Sequence, residues 1–109
     1  ADVVQTVQSG DMTIVLRSAT GNLRTGRNTF TIEFHSPSGE LVDAGTVRAA
    51  ANMTMPGMAM SGHVQAQPTG TTGRYRATAE FGMAGSWQMS IEWDGPAGSG
   101  SVNFQGAVQ

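Results

Sequence analysis

Apolar and polar residues alternate along most of this chain with a period of two, the spacing that sends successive side chains to opposite faces of a β-strand. The clearest case sets Trp87, Met89, Ile91 and Trp93 against Gln88, Ser90 and Glu92. Residues 73–81 repeat the pattern, with Tyr75, Ala77, Ala79 and Phe81 inward and Arg74, Arg76, Thr78 and Glu80 outward. In residues 28–35, Phe30, Ile32 and Phe34 share the inner face, and Thr31, Glu33 and His35 the other. Residues 12–17 place Met12, Ile14 and Leu16 together.

Further strands are predicted over 47–55, 63–67 and 101–108, and Leu41-Val42 begins a short one. Turn chemistry separates them: a turn-rich stretch over 18–27, Ser36-Pro37-Ser38-Gly39, Pro68-Thr69-Gly70, and Asp94-Gly95-Pro96-Ala97-Gly98. Residues 1–10 read as a lead-in or edge strand ending at Ser9-Gly10. No stretch keeps the i, i+3, i+4, i+7 spacing of an amphipathic helix. About seven short antiparallel strands in one chain predict an all-β, immunoglobulin-like antiparallel β-sandwich. Residues 1–109 are expected to form a single domain, without internal repeats.

One run departs from the alternation. Asn52-Met53-Thr54-Met55-Pro56-Gly57-Met58-Ala59-Met60 holds four methionines and no Leu, Ile, Val or Phe, in a chain that has no cysteine. Met12 and Met89 lie on the apolar faces of well-patterned strands and read as core. The run reads instead as an edge or a loop, since Pro56 removes a backbone donor and is unsuited to a central ladder. A thioether is soft and has no proton to lose, which favours Cu(I) and, by the same softness, Ag(I).

Parity then matters. Met53 and Met55 share one strand face, and so do Met58 and Met60, but a regular strand through all four would put the pairs on opposite faces. A bulge or tight turn at Pro56-Gly57 turns all four the same way. Met55, Met58 and Met60 are therefore the first-choice ligands, with Met53 joining or covering them. His63, three residues beyond Met60, is a further candidate, because neutral imidazole also ligates copper. His35 lies far from the run, on a polar strand face. Met83, in the Gly-rich turn between two strongly patterned strands, is placed to swing towards the cluster or to cap the core.

Composition narrows the alternatives. Net charge is −2, lysine is absent and the six arginines are scattered, so there is no basic stripe for nucleic acid. No apolar run approaches membrane-spanning length. Low charge, abundant small polar residues and the missing lysine fit an exported, periplasmic domain. Blue copper needs Cys with two His, and zinc prefers N, O and thiolate donors. No nucleophile elbow, P-loop or two-His metal motif is present, so an enzyme is not expected. Glu33, Glu80 and Glu92 at outward positions read as solvated.

The motifs also carry a resemblance. Met55-Pro56-Gly57-Met58-Ala59-Met60, then Gly73-Arg74-Tyr75, then Phe81-Gly82-Met83-Ala84-Gly85-Ser86-Trp87 resemble the YtkA-like domain pattern, over about residues 28–93. The resemblance implies an immunoglobulin-like sandwich outside the cytoplasm. Such domains stand alone or form part of heavy-metal efflux adaptors, and they resemble accessory proteins of copper-enzyme assembly. It also implies that Met83 is a ligand or a lid, whereas Met53 lies outside the shared motif. The resulting expectation is a Cu(I)/Ag(I)-binding domain that carries or hands over metal, with an efflux-pump component or a copper-enzyme assembly protein as partner. The rival expectation is an adaptor whose Met-rich edge docks a protein.

Overall fold

The computed structural model describes residues 2–96 and 98–109, apart from the side chain of His63; the expectations that touch Ala1 and Ala97 lie outside the described residues. Eight strands are described: β1 (Asp2–Ser9), β2 (Met12–Ser18), β3 (Gly26–His35), β4 (Thr46–Met55), β5 (Met58–Pro68), β6 (Arg74–Phe81), β7 (Gly85–Gly95) and β8 (Gly98–Val108). The all-β sandwich expected from the alternation is what forms, with one more strand than the pattern suggested. Among the described residues, no helix is long and apolar enough to cross a membrane. Leu41 makes only an isolated bridge to His35, so the short strand expected there does not develop.

All strand pairs are antiparallel and follow the order β1-β2-β3-β6-β5-β4-β7-β8. The consecutive hairpins β4-β5-β6 are flanked by β7 beside β4 and β3 beside β6, a Greek-key arrangement. β5 belongs to both layers. Up to Gly62 it pairs with β4, and from His63 to Pro68 it pairs with β6. That corner needs a small residue, because a Cβ on Gly62 would sit 3.2 Å from the Glu80 carbonyl oxygen and 3.3 Å from the Phe81 ring. The strand expected over 63–67 is thus only the second half of β5.

The inner faces close on one core. Ile14, Leu16, Phe30, Ile32, Phe34, Tyr75 and Phe81 come from one sheet, and Val47, Trp87, Met89, Ile91, Trp93 and Phe104 from the other. Phe34 packs edge-on against Tyr75 and Trp93, with ring centroids 5.6 and 5.5 Å away, so the aromatic residues of the two layers interlock. Tyr75 buries its ring and donates its hydroxyl to the Gly45 carbonyl at 2.7 Å. Met89 is buried as expected, whereas Met12 is half-buried and packs against the edge of the core.

Candidate metal centre

The methionine run folds as a hairpin. Met55 pairs with Met58 and Met53 with Met60 across a two-residue Pro56-Gly57 turn. Gly57 has φ 76°. Proline followed by a residue at positive φ is the combination a type II turn uses, and it fits only glycine comfortably in the second place. The turn is the tight alternative to a bulge, and it settles parity. Residues directly opposite in an antiparallel ladder share a face, as do residues two apart on one strand, so all four side chains lie on one face of the hairpin. Opposed pairs of this kind have Cβ atoms about 4.5–5.5 Å apart, within reach of long flexible side chains.

That face is the inner one. Ala51 and Met53 are buried while Asn52 and Thr54 are exposed, so the hairpin extends the core side of β4 outwards to the rim of the sandwich. Exposure grades along it. Met53 is 7% exposed, Met55 and Met60 are half-buried against the core, and Met58 at the tip is 53% exposed. The expectation of an edge or loop is therefore corrected for Met53, which is a core residue at the end of an inner strand.

The β6–β7 turn meets this face. The methyl of Met60 lies where a Cβ on Gly82 would be only 2.9 Å away, and the methyl of Met53 would come within 2.8 Å of one on Gly85. The two glycines make room for two methionines of the hairpin, and half-buried Met83 stands between them. The turn itself is anchored. Trp87, fully buried, donates its indole N–H to the Met83 carbonyl at 3.0 Å and packs against Phe81 at 5.1 Å between ring centroids. Two motifs some twenty residues apart in sequence thus form one methionine-lined end of the sandwich.

His63 follows the corner in β5, and its backbone pairs with Glu80 in the other sheet. Its side chain lies outside the described residues. The donors gathered here are soft, with no proton to displace, and among the described residues no group of three or more His, Cys, Asp or Glu is arranged to hold a metal. The set suits a monovalent soft cation and not a hard or borderline one.

A second cluster was not foreseen. Glu33 faces outward as predicted but is 4% exposed, which corrects the solvated reading. Val15 on β2 and Arg74 on β6 are its direct neighbours, and the side chains around it cover the carboxylate. Arg17 Nε donates to Oε1 and Arg74 Nε to Oε2, both at 2.9 Å. His35 donates Nδ1–H to the Gly39 carbonyl at 3.0 Å, and its Nε2 lies 3.0 Å from Glu33 Oε1. Burial is the largest influence on the Glu33 pKa and raises it, but the hydrogen bonds from His35, Arg17 and Arg74 together outweigh it. The net effect holds the carboxyl below its ordinary value of 4.5. Glu80 and Glu92 are exposed, as read from the sequence.

Comparison with known proteins finds both a sequence family and solved structures of like fold. Among solved structures, FetP of uropathogenic Escherichia coli strain F11, recombinantly expressed in the periplasm, superposes with TM-score 0.64 at 10% identity, covering 98% of this chain and 94% of that one. A copper-bound variant of that FetP gives TM-score 0.62 at 9% identity over 97% and 95% of the two chains. A DUF4426 family protein of Pseudomonas aeruginosa PAO1 gives 0.59 at 8% identity over 94% of each. At such identities the likeness is one of fold. No curated protein matches the sequence. The YtkA-like family model matches residues 6–92, which include the whole hairpin, the strand start at Gly73 and the Met83 turn. The chain belongs to the YtkA-like family.

Proposed function

We propose that this domain is an extracytoplasmic carrier of Cu(I), or of Ag(I) by the same chemistry, that holds the ion at its methionine end and passes it on. The observation that carries the reading is the shared face of Met53, Met55, Met58 and Met60 against the turn that holds Met83. Met55, Met58, Met60 and Met83 are the ligand candidates, and Met53, wedged over Gly85, is the floor beneath them. His63 remains a candidate on sequence proximity alone. The copper-bound FetP variant, with the same fold, supports metal handling, and the periplasmic expression of FetP supports the compartment.

The physical logic is one of graded access. An ion arriving from solvent meets Met58 first, then the half-buried thioethers behind it. Thioethers are neutral, so binding releases no proton and competes with none. A carrier that serves an efflux component or a copper-enzyme assembly protein needs ligands that exchange, and an exposed, flexible Met58 supplies the first to let go. We read no catalytic role into the site. A second reading, in which the tip docks a partner protein without metal, draws on the exposure of Met58.

Titration with Cu(I) under reducing, anaerobic conditions, followed through methionine methyl NMR signals, separates the two. Metal binding should move the methyls of Met55, Met58 and Met60 with a stoichiometric break and leave Met89 still. Met58→Leu nearly conserves volume and should keep the fold while weakening affinity about tenfold. Methyl signals unmoved by metal would favour docking.

A further inference from the structure

We propose that the outer face of β2, β3 and β6 is a docking surface for an acidic, Asp/Glu-rich segment of a partner protein, contacted by Arg17, Arg74 and Arg76. The argument starts from register. Thr31 on β3 lies directly opposite Arg17 on β2 and opposite Arg76 on β6, so the three form a row across three strands. With strands about 4.8 Å apart, the two arginine backbones stand roughly 10 Å from each other. In the next row Glu33 is flanked by Arg74, with His35 at hydrogen-bonding distance. Two of the other arginines, Arg27 and Arg48, lie 3.6 and 3.8 Å from Glu80 and Glu92. Half of the chain's six arginines therefore gather on one face, two of them on the Glu33 carboxylate and Arg76 one row away.

Glu33 does not use up what they offer. Each guanidinium carries five N–H donors, whereas a carboxylate has about four acceptor positions, and His35 stands at one of the two oxygens. The side chains of Arg17 and Arg74 remain 34% and 43% exposed. Arg76 is exposed and forms no ion pair among the described residues. The depression lined by Arg17, Thr31, Glu33, His35 and Arg74 is open and shallow, a shape for a polypeptide laid across a sheet and not for an enclosed small molecule. Arginine forks match carboxylates in pairs, and Glu33 fixes two of them in place before a partner arrives. A second copy of this chain is a poor occupant, since its acidic residues are scattered singly along the sequence and form no Asp/Glu-rich run.

The surface stands apart from the methionine end. Arg74 opens β6 and Phe81 closes it, seven residues on, so roughly 23 Å of strand separates them at 3.3 Å per residue. A partner held here leaves the rim free, and the inference does not rest on the metal reading.

The test uses the whole domain, isotope-labelled, titrated with hexaglutamate peptide and separately with inorganic phosphate at matched charge. At low ionic strength the peptide should shift the backbone amides of Thr31, Arg17, Arg74 and Arg76 saturably, and about 0.5 M salt should abolish the effect. Arg76→Gln leaves every bond to Glu33 intact, so it should keep the melting temperature and weaken the peptide about fivefold. Arg17→Gln, measured beside it, should weaken binding and also lower stability. Absence of localised shifts, an unchanged affinity in Arg76→Gln, or phosphate binding as tightly as the peptide would each overturn the proposal.

Discussion

The methionine end and the Glu33 cluster are both places where the alternating pattern gathers unusual chemistry, and they treat burial in opposite ways. Glu33 is charged, so leaving it buried without partners would cost several kcal/mol, and three side chains from three positions answer it. The thioethers ask for nothing. A methionine half-buried against the core is content as an apolar residue, so soft donors can wait at the rim without a hydrogen-bond partner and without strain. One cluster meets its buried charge from within and ties three strands together. The other is complete as packing and still open as a ligand set.

That contrast can be broken in order of expected size. Arg17→Ala and Arg74→Ala together should cost about 3 kcal/mol in urea unfolding, because they leave the buried Glu33 carboxylate with His35 alone beside it. The same variant should keep its Cu(I) affinity, and a parallel loss of both would couple the two regions. The converse variant, with Met55, Met58 and Met60 all changed to Leu, should lose about a hundredfold in affinity, close to 2.7 kcal/mol. Its unfolding free energy should stay within about 1 kcal/mol of the parent, since volume is nearly conserved. The smallest effect is a pH dependence. The Glu33 carboxyl is held below 4.5 in the fold, so its contribution is complete above 4.5 and is lost as pH falls through the lower folded value. Denaturation series from neutral pH down to about 3 should show this loss in the parent and a flatter profile in Glu33→Gln. Metal affinity should remain level over the range in which the fold persists, because thioethers do not titrate.

How much of this could be read from sequence follows the same line. Strand positions and inward faces were legible wherever one strand carried its own alternation, as in 73–81 and 87–93. The methionine run was legible because its four donors lie within eight residues, and the odd separation of Met55 and Met58 called for a bulge or tight turn between them; the return of 58–62 as a paired strand was not. Met83 was reachable only through the turn motif and its family resemblance, as the pairing of that turn with the hairpin depends on the packing of Met60 over Gly82. The burial of Glu33 was not legible. Residues 17, 33, 35 and 74 meet through the register of β2, β3 and β6, and nothing along one strand announces which neighbours a given outward position will have. The switch of β5 between sheets was hidden as well, since Gly62 looks like any spacer until its neighbours are known.

That switch has a mechanical consequence. Because β4 pairs with β7 only as far as Asn52 and β5 pairs with β6 only from His63, the ribbon between Met53 and Met60 is held by its own ladder and by the packing of Met53 and Met60 over the β6–β7 turn. Its base is anchored where Met53 is buried, while its tip at Met58 is free to bend without breaking a ladder to either neighbouring strand. On the proposed metal reading, capture draws a short ribbon onto a fixed base, so the ordering it costs is confined to the tip, and release begins there.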